Sequence, residues 1–188
     1  LPQFAGAIHD GSGEIRRDLA SGAPMLRLVQ GDVGCGKTLV AALASLAVIE
    51  NGWQVAIMAP TELLAEQHYR TFSGWLEPLG LRTVLLNGRM PAAERRATLE
   101  ALALGETPLA IGTHALFQEQ VSFARLGLVI IDEQHRFGVH QRLALREKGL
   151  ADGFAPHQLV MTATPIPRTL AMTAYADLDY SLIDELPP

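Results

Sequence analysis

The chain is 188 residues long, 48% hydrophobic and 19% charged, with a formal net charge of −5 at pH 7. That length suits one compact core, because single cores stop growing at roughly 250 to 300 residues, and the apolar content is too high for a disordered segment. The acidic balance excludes a protein that wraps nucleic acid in a uniformly basic surface, and the single cysteine, Cys35, excludes an internal disulfide and a thiolate zinc site.

From the amino terminus, residues 1–13 show neither the basic start nor the apolar run of a signal peptide. Met25 to Gln30 reads as the first strand. Gly31-Asp32-Val33-Gly34-Cys35-Gly36-Lys37-Thr38 follows it at once in the form G-x-x-x-x-G-K-T, and Thr38 to Glu50 then reads as an alanine- and leucine-rich helix stopped by Asn51-Gly52. Strand, glycine loop and helix in that order make a phosphate cradle. Gly31, Gly34 and Gly36 let consecutive backbone N–H groups turn inward, Cys35 is an ordinary position within the loop, and the helix amino end adds its positive dipole. Lys37 is placed to reach the β and γ phosphates and Thr38 to ligate magnesium. The plain alternative is a glycine turn before a helix.

Val55 to Ala59, Thr83 to Leu86 and Leu109 to Gly112 are the next strands, with helices at Glu62 to Trp75 and at Ala92 to Leu104, the latter opened by Pro91 and closed by Gly105. Thr61, Arg89, Thr113 and His114 fall in the loops after these strands, Arg89 being a cation able to meet a phosphate. Helix capping is the plain account of Thr61 and Thr113, and a tight turn that of Asn87-Gly88-Arg89.

Leu126 to Ile131 reads as a buried strand running into Asp132 and Glu133. Acids at a strand end are ordinarily just solvated; behind a phosphate loop they divide the labour of hydrolysis. Asp132 would hold magnesium through its water shell, and Glu133 would orient and deprotonate the water that attacks the γ phosphate. Gln158 to Thr162 and Tyr180 to Ile183 complete the strands. Alternation with helices predicts an α/β fold, a mainly parallel sheet covered on both faces. The remaining histidines, His9, His68, His140 and His157, show no metal-ligand spacing. The longest apolar stretches, Leu39 to Ile49 and Leu126 to Ile131, are too short to span a bilayer, so no membrane partner is expected, and the lone Cys35 fits a reducing, cytoplasmic setting.

Asp132-Glu133-Gln134-His135 resembles motif II of the superfamily 2 helicases. Its continuation Arg136-Phe137-Gly138-Val139-His140-Gln141-Arg142 and the segment Met161 to Pro188 resemble the RecG branch-migration group of that superfamily. Ala59-Pro60-Thr61-Glu62-Leu63-Leu64-Ala65 resembles motif Ia, Ile111-Gly112-Thr113-His114-Ala115-Leu116 motif Ib, and Thr162-Ala163-Thr164 motif III. The resemblance implies a RecA-like P-loop domain over residues 1–188 that uses ATP and magnesium on branched or forked duplex DNA. It implies coupling through Gln134, His135, Thr162, Ala163 and Thr164, and DNA contacts at Thr61, Arg89, Thr113, His114 and Arg168. It also implies a second RecA-like domain and a wedge domain elsewhere in the same parent chain.

The resemblance runs from Glu14 to Pro188. Residues 1–13 depart from it: the group carries L-T-x-x-Q upstream of the glycine loop, with a glutamine that helps read adenine, and the register puts Ile8 in its place. Two other readings stand beside this one. One is a duplex translocase of the Mfd type, which typically has a second glutamate where Gln134 stands; the other is a generic P-loop NTPase or nucleotide-binding module.

Overall fold

The computed structural model describes residues 13–15, 17–31, 36–132, 155–163 and, for the backbone alone, 179–183. Its strands are β1 (Leu26–Gly31), β2 (Gln54–Met58), β3 (Thr83–Leu86), β4 (Leu109–Gly112), β5 (Leu126–Asp132), β6 (His157–Thr162) and β7 (Asp179–Ile183). Its α-helices are α1 (Lys37–Glu50), α2 (Glu62–Leu76) and α3 (Ala92–Ala103), with short 3-10 turns at Glu77–Leu79 and His114–Phe117. The strands form one sheet in the order β3-β4-β2-β5-β6-β1-β7, and every described pairing is parallel.

A parallel sheet buries both faces, and the core divides accordingly. On one face α1 contributes Val40, Ala41, Ala44 and Val48, and α2 contributes Ala65, Phe72 and Leu76, against Val29, Ile57, Ile130 and Leu159. On the other, Leu28, Met58, Val129, Ile131 and Val160 pack with Phe117 and Phe123, and Leu102 of α3 joins Leu86, Ala110 and Leu116. Successive residues of a strand point to opposite faces, so a doubly covered sheet requires unbroken apolar runs. The buried run Leu128 to Ile131 in β5 is one, and β2 is buried throughout.

Close packing leaves one strand end no room for a side chain. A Cβ on Gly112 would lie 2.5 Å from the Leu86 carbonyl oxygen and 3.1 Å from Leu116 Cγ. Backbone cannot yield as a side chain does, so Gly112→Ala is expected to destabilise the chain by about 1–3 kcal/mol, the usual cost of overpacking. Urea unfolding of the two proteins checks this, and equal midpoints would show that β3 and β4 separate freely.

The segment before β1 is helical at 13–15 and 17–19, which the sequence reading did not anticipate. Ile15 is buried there, and Arg27 of β1, whose side chain is only 9% exposed, is neutralised by Glu14 at 3.0 Å and Asp18 at 2.5 Å. A buried guanidinium needs such partners, and these two acids clamp the segment to the sheet. Nearby, the Met25 N–H donates to His157 Nδ1 at 3.0 Å. Burial holds the pKa of His157 below the ordinary histidine value, opposed by the negative charge of Asp18.

Candidate functional site

Parallel register brings distant segments to one edge. Gln30 of β1 pairs with Thr162 of β6, and Met161 pairs with Asp132 of β5, so the carboxyl ends of β1, β6 and β5 stand side by side. Ligands of open α/β sheets sit beyond that edge. Lys37, Thr162 and Asp132, far apart in sequence, thus stand along one edge because three neighbouring strands end beside one another.

Gly36 enters α1 with φ 96° and ψ 9°, a left-handed conformation that a side chain would strain. It makes no side-chain cap, and the first turn holds no acidic residue. The amide end of a 14-residue helix is therefore electrically positive and suited to an anion. Lys37 Nζ donates to the Gly31 carbonyl at 2.5 Å, which sets the ammonium at the end of β1, and Thr38 is half-buried in the same turn.

Asp132, 15% exposed, accepts at Oδ2 from His68 Nε2 of α2 at 2.6 Å, and the His68 side chain is itself 12% exposed. Among the described residues no group of three or more His, Cys, Asp or Glu could encage a metal. Magnesium does not require one: it keeps several waters and is bound through one or two carboxylates plus substrate phosphates. A half-buried carboxylate and a threonine hydroxyl on the same carboxyl edge as the amide end of α1 fit that ion.

The other half of the edge belongs to β2, β4 and β3, where Met58 pairs with Gly112 and Gly112 with Leu86. Thr61 caps α2, its hydroxyl accepting from the Leu64 N–H at 3.3 Å, as its plain reading predicted. Thr113 is buried and makes no side-chain cap, while His114 is exposed. Arg89 is 84% exposed and pairs loosely with Glu62 at 3.4 Å; Glu62 also accepts from the Gly88 N–H at 3.2 Å, tying the β3–α3 turn to the start of α2. Thr162 is buried and Ala163 half-buried at the end of β6. Gly34, Cys35, Glu133, Gln134, His135, Thr164 and Arg168 lie outside the described residues.

Sequence reasoning missed His68. Its signal was its phase: Ala65, Phe72 and Leu76 form the buried face of α2, and His68 shares their i, i+3, i+4 spacing. A histidine on such a face requires a polar partner, and Asp132 is that partner.

A model of the DEAD/DEAH box helicase family matches residues 14–173. The ATP-dependent DNA helicase RecG of Escherichia coli (strain K12) is 67% identical over 175 residues, covering 93% of this chain and 25% of that protein. The ATP-dependent DNA helicase RecG of Aquifex aeolicus (strain VF5) is 55% identical over 175 residues, covering 93% of this chain and 22% of that protein. A solved structure of RecG bound to a three-way DNA junction superposes with a TM-score of 0.83 at 44% identity, over 97% of this chain and 24% of that one. The chain spans about a quarter of the length of the curated relatives it matches.

Proposed function

Because the chain belongs to the DEAD/DEAH box helicase family, we propose that it is the ATP-binding half of a DNA motor that couples magnesium-dependent ATP hydrolysis to remodelling of branched duplex DNA. The observation that carries this reading is the shared carboxyl edge, where Lys37 and the amide end of α1 lie two strands from Asp132. The branched substrate is inferred from the similarity to a protein whose structure holds a three-way DNA junction.

In this reading the glycine loop, Gly31, Gly34, Cys35 and Gly36, wraps the phosphates with its amides, and Lys37 neutralises them. Thr38 and Asp132 hold magnesium, which when bound draws charge from the β and γ phosphates. Glu133, next in the chain after Asp132, orients a water for in-line attack and takes its proton. Gln134, His135, Thr162, Ala163 and Thr164 link this chemistry to DNA held at Thr61, Arg89, Thr113, His114 and Arg168. Residues 1–188 act as the first RecA-like domain. A second RecA-like domain of the parent chain supplies an arginine finger, worth about 10³ to 10⁵ in rate, and a wedge domain engages the branch point. Among the described residues no helix is long and apolar enough to cross a membrane, and we place the motor in the cytoplasm.

The deciding experiment is ATP turnover by the full-length parent with magnesium, alone, with linear duplex and with a synthetic replication fork. Turnover is expected to rise most with the fork. The same rate in all three samples would reduce the protein to a generic P-loop NTPase, and equal stimulation by linear duplex would favour a duplex translocase.

A further inference from the structure

The geometry assigns a positioning role to His68: by donating from Nε2 to Asp132 Oδ2, it fixes the carboxylate whose other oxygen, Oδ1, serves magnesium. This rests on the reading of Asp132 as a magnesium ligand. It goes beyond that reading by making α2, a helix with no place in the phosphate loop, part of the metal site.

Three observations carry it. The contact is 2.6 Å between two largely buried side chains, 12% and 15% exposed, and charge-assisted bonds of that length in such surroundings are strong and directional. The imidazole cannot swing away easily, because its ring meets Phe72 edge-on, with centroids 6.3 Å apart and planes at 73°, and Phe72 is fully buried. Finally, α2 is anchored at its start: Thr61 caps it and Glu62 binds the β3–α3 turn. His68 therefore hands the carboxylate a fixed reference from a helix whose first residues lie on the β2, β4 and β3 half of the edge. Carboxylates that ligate metals are ordinarily held by such outer partners, whose loss costs about 10- to 100-fold in metal affinity or activity.

The test uses the full-length parent. His68→Leu removes the donor while keeping an apolar contact for Phe72; His68→Asn is polar but too short to reach Oδ2, and it decides the matter if the leucine protein fails to fold. His68→Gln keeps a donor near the Nε2 position. Magnesium is titrated against binding of a fluorescent ADP analogue, without turnover, and separately against ATP hydrolysis. In the leucine and asparagine variants the magnesium needed for half-maximal effect is expected to rise by about 10- to 100-fold in both assays, with magnesium-free ADP affinity unchanged. Glutamine is expected to restore most of it. An unchanged magnesium requirement, or an equal loss of magnesium-free ADP binding in all three variants, overturns the proposal and leaves His68 a packing residue. Asp132→Asn separates the two levels. If it raises the requirement and His68→Leu does not, only the positioning role fails; if it too changes nothing, the magnesium reading of Asp132 fails with it.

Discussion

Exchanging Glu133 for glutamine in the full-length parent is expected to lower ATP turnover by about 10²- to 10⁴-fold, the range lost with a positioned general base, while ATP still binds. The two effects separate because the groups come from different strands. Phosphate capture falls to Lys37 and the amide end of α1, which follow β1, whereas Glu133 follows Asp132 at the end of β5. Glutamine keeps the size and a carbonyl acceptor and loses only the ability to take a proton. Single-turnover hydrolysis beside equilibrium binding of labelled ATP reads both quantities. Turnover within tenfold of the parent would remove Glu133 from the chemistry, and a matching loss of ATP binding would make it a structural residue of the loop.

Much of the fold was legible because a buried parallel sheet writes itself in short apolar runs. Among the described residues, strands β1 to β7 and helices α1 to α3 stand where the residues suggested, with ends shifted by about one residue, the usual fraying of such boundaries. The shifts have causes. β5 runs one residue past its apolar stretch because Asp132 still pairs with Met161, and β2 begins at Gln54 because that residue already pairs with Leu126, its N–H donating to the Arg125 carbonyl at 2.7 Å. Composition counted both polar residues against strand. The helical turns at 13–15 and 17–19 were invisible for a different reason: Ile15 and Leu19 are apolar anchors there, and Glu14 and Asp18 add a hold through Arg27. An ion pair across 13 residues leaves no periodicity to read.

The site was legible where chemistry demands a fixed spacing, and dark where it does not. The glycine loop and the Asp132-Glu133 pair announce themselves because phosphate and magnesium accept few arrangements of glycine, lysine, hydroxyl and acid. Which strands are neighbours cannot be read from those motifs, so the contact between His68 and Asp132, 64 positions apart, follows only from the sheet order. Arg89 shows the reverse: a cation singled out by sequence proves to be tethered to Glu62, so its availability to a phosphate depends on a weak, exposed pair.

Gln54→Leu is expected to be among the most damaging single changes at the opposite, amino edge of the sheet. Gln54 is 3% exposed, and its amide bridges three segments: Nε2 donates to the carbonyls of Leu102 at 3.0 Å and Thr107 at 2.9 Å, and Oε1 accepts from the Arg125 N–H at 2.9 Å. Leu102 keeps other donors, the Gly105 and Ala124 N–H groups, so the Thr107 carbonyl and the Arg125 N–H are what leucine would strand. At about 1–3 kcal/mol for each buried group left unpaired, the loss is roughly 2–6 kcal/mol, a large part of a typical domain's stability. Gln54→Glu tests the cause. Its carboxylate can still accept from Arg125 but would face two carbonyls, so its folded pKa must lie above the unfolded value of about 4.3. A group raised in that way contributes its full stability below the unfolded pKa and loses it as pH rises through the folded one. The glutamate protein should therefore recover towards the parent as pH falls to about 4, relative to the leucine protein at each pH. Denaturant unfolding across that range measures the difference, and parallel curves for the two variants would show that Gln54 matters for its volume and not for its hydrogen bonds.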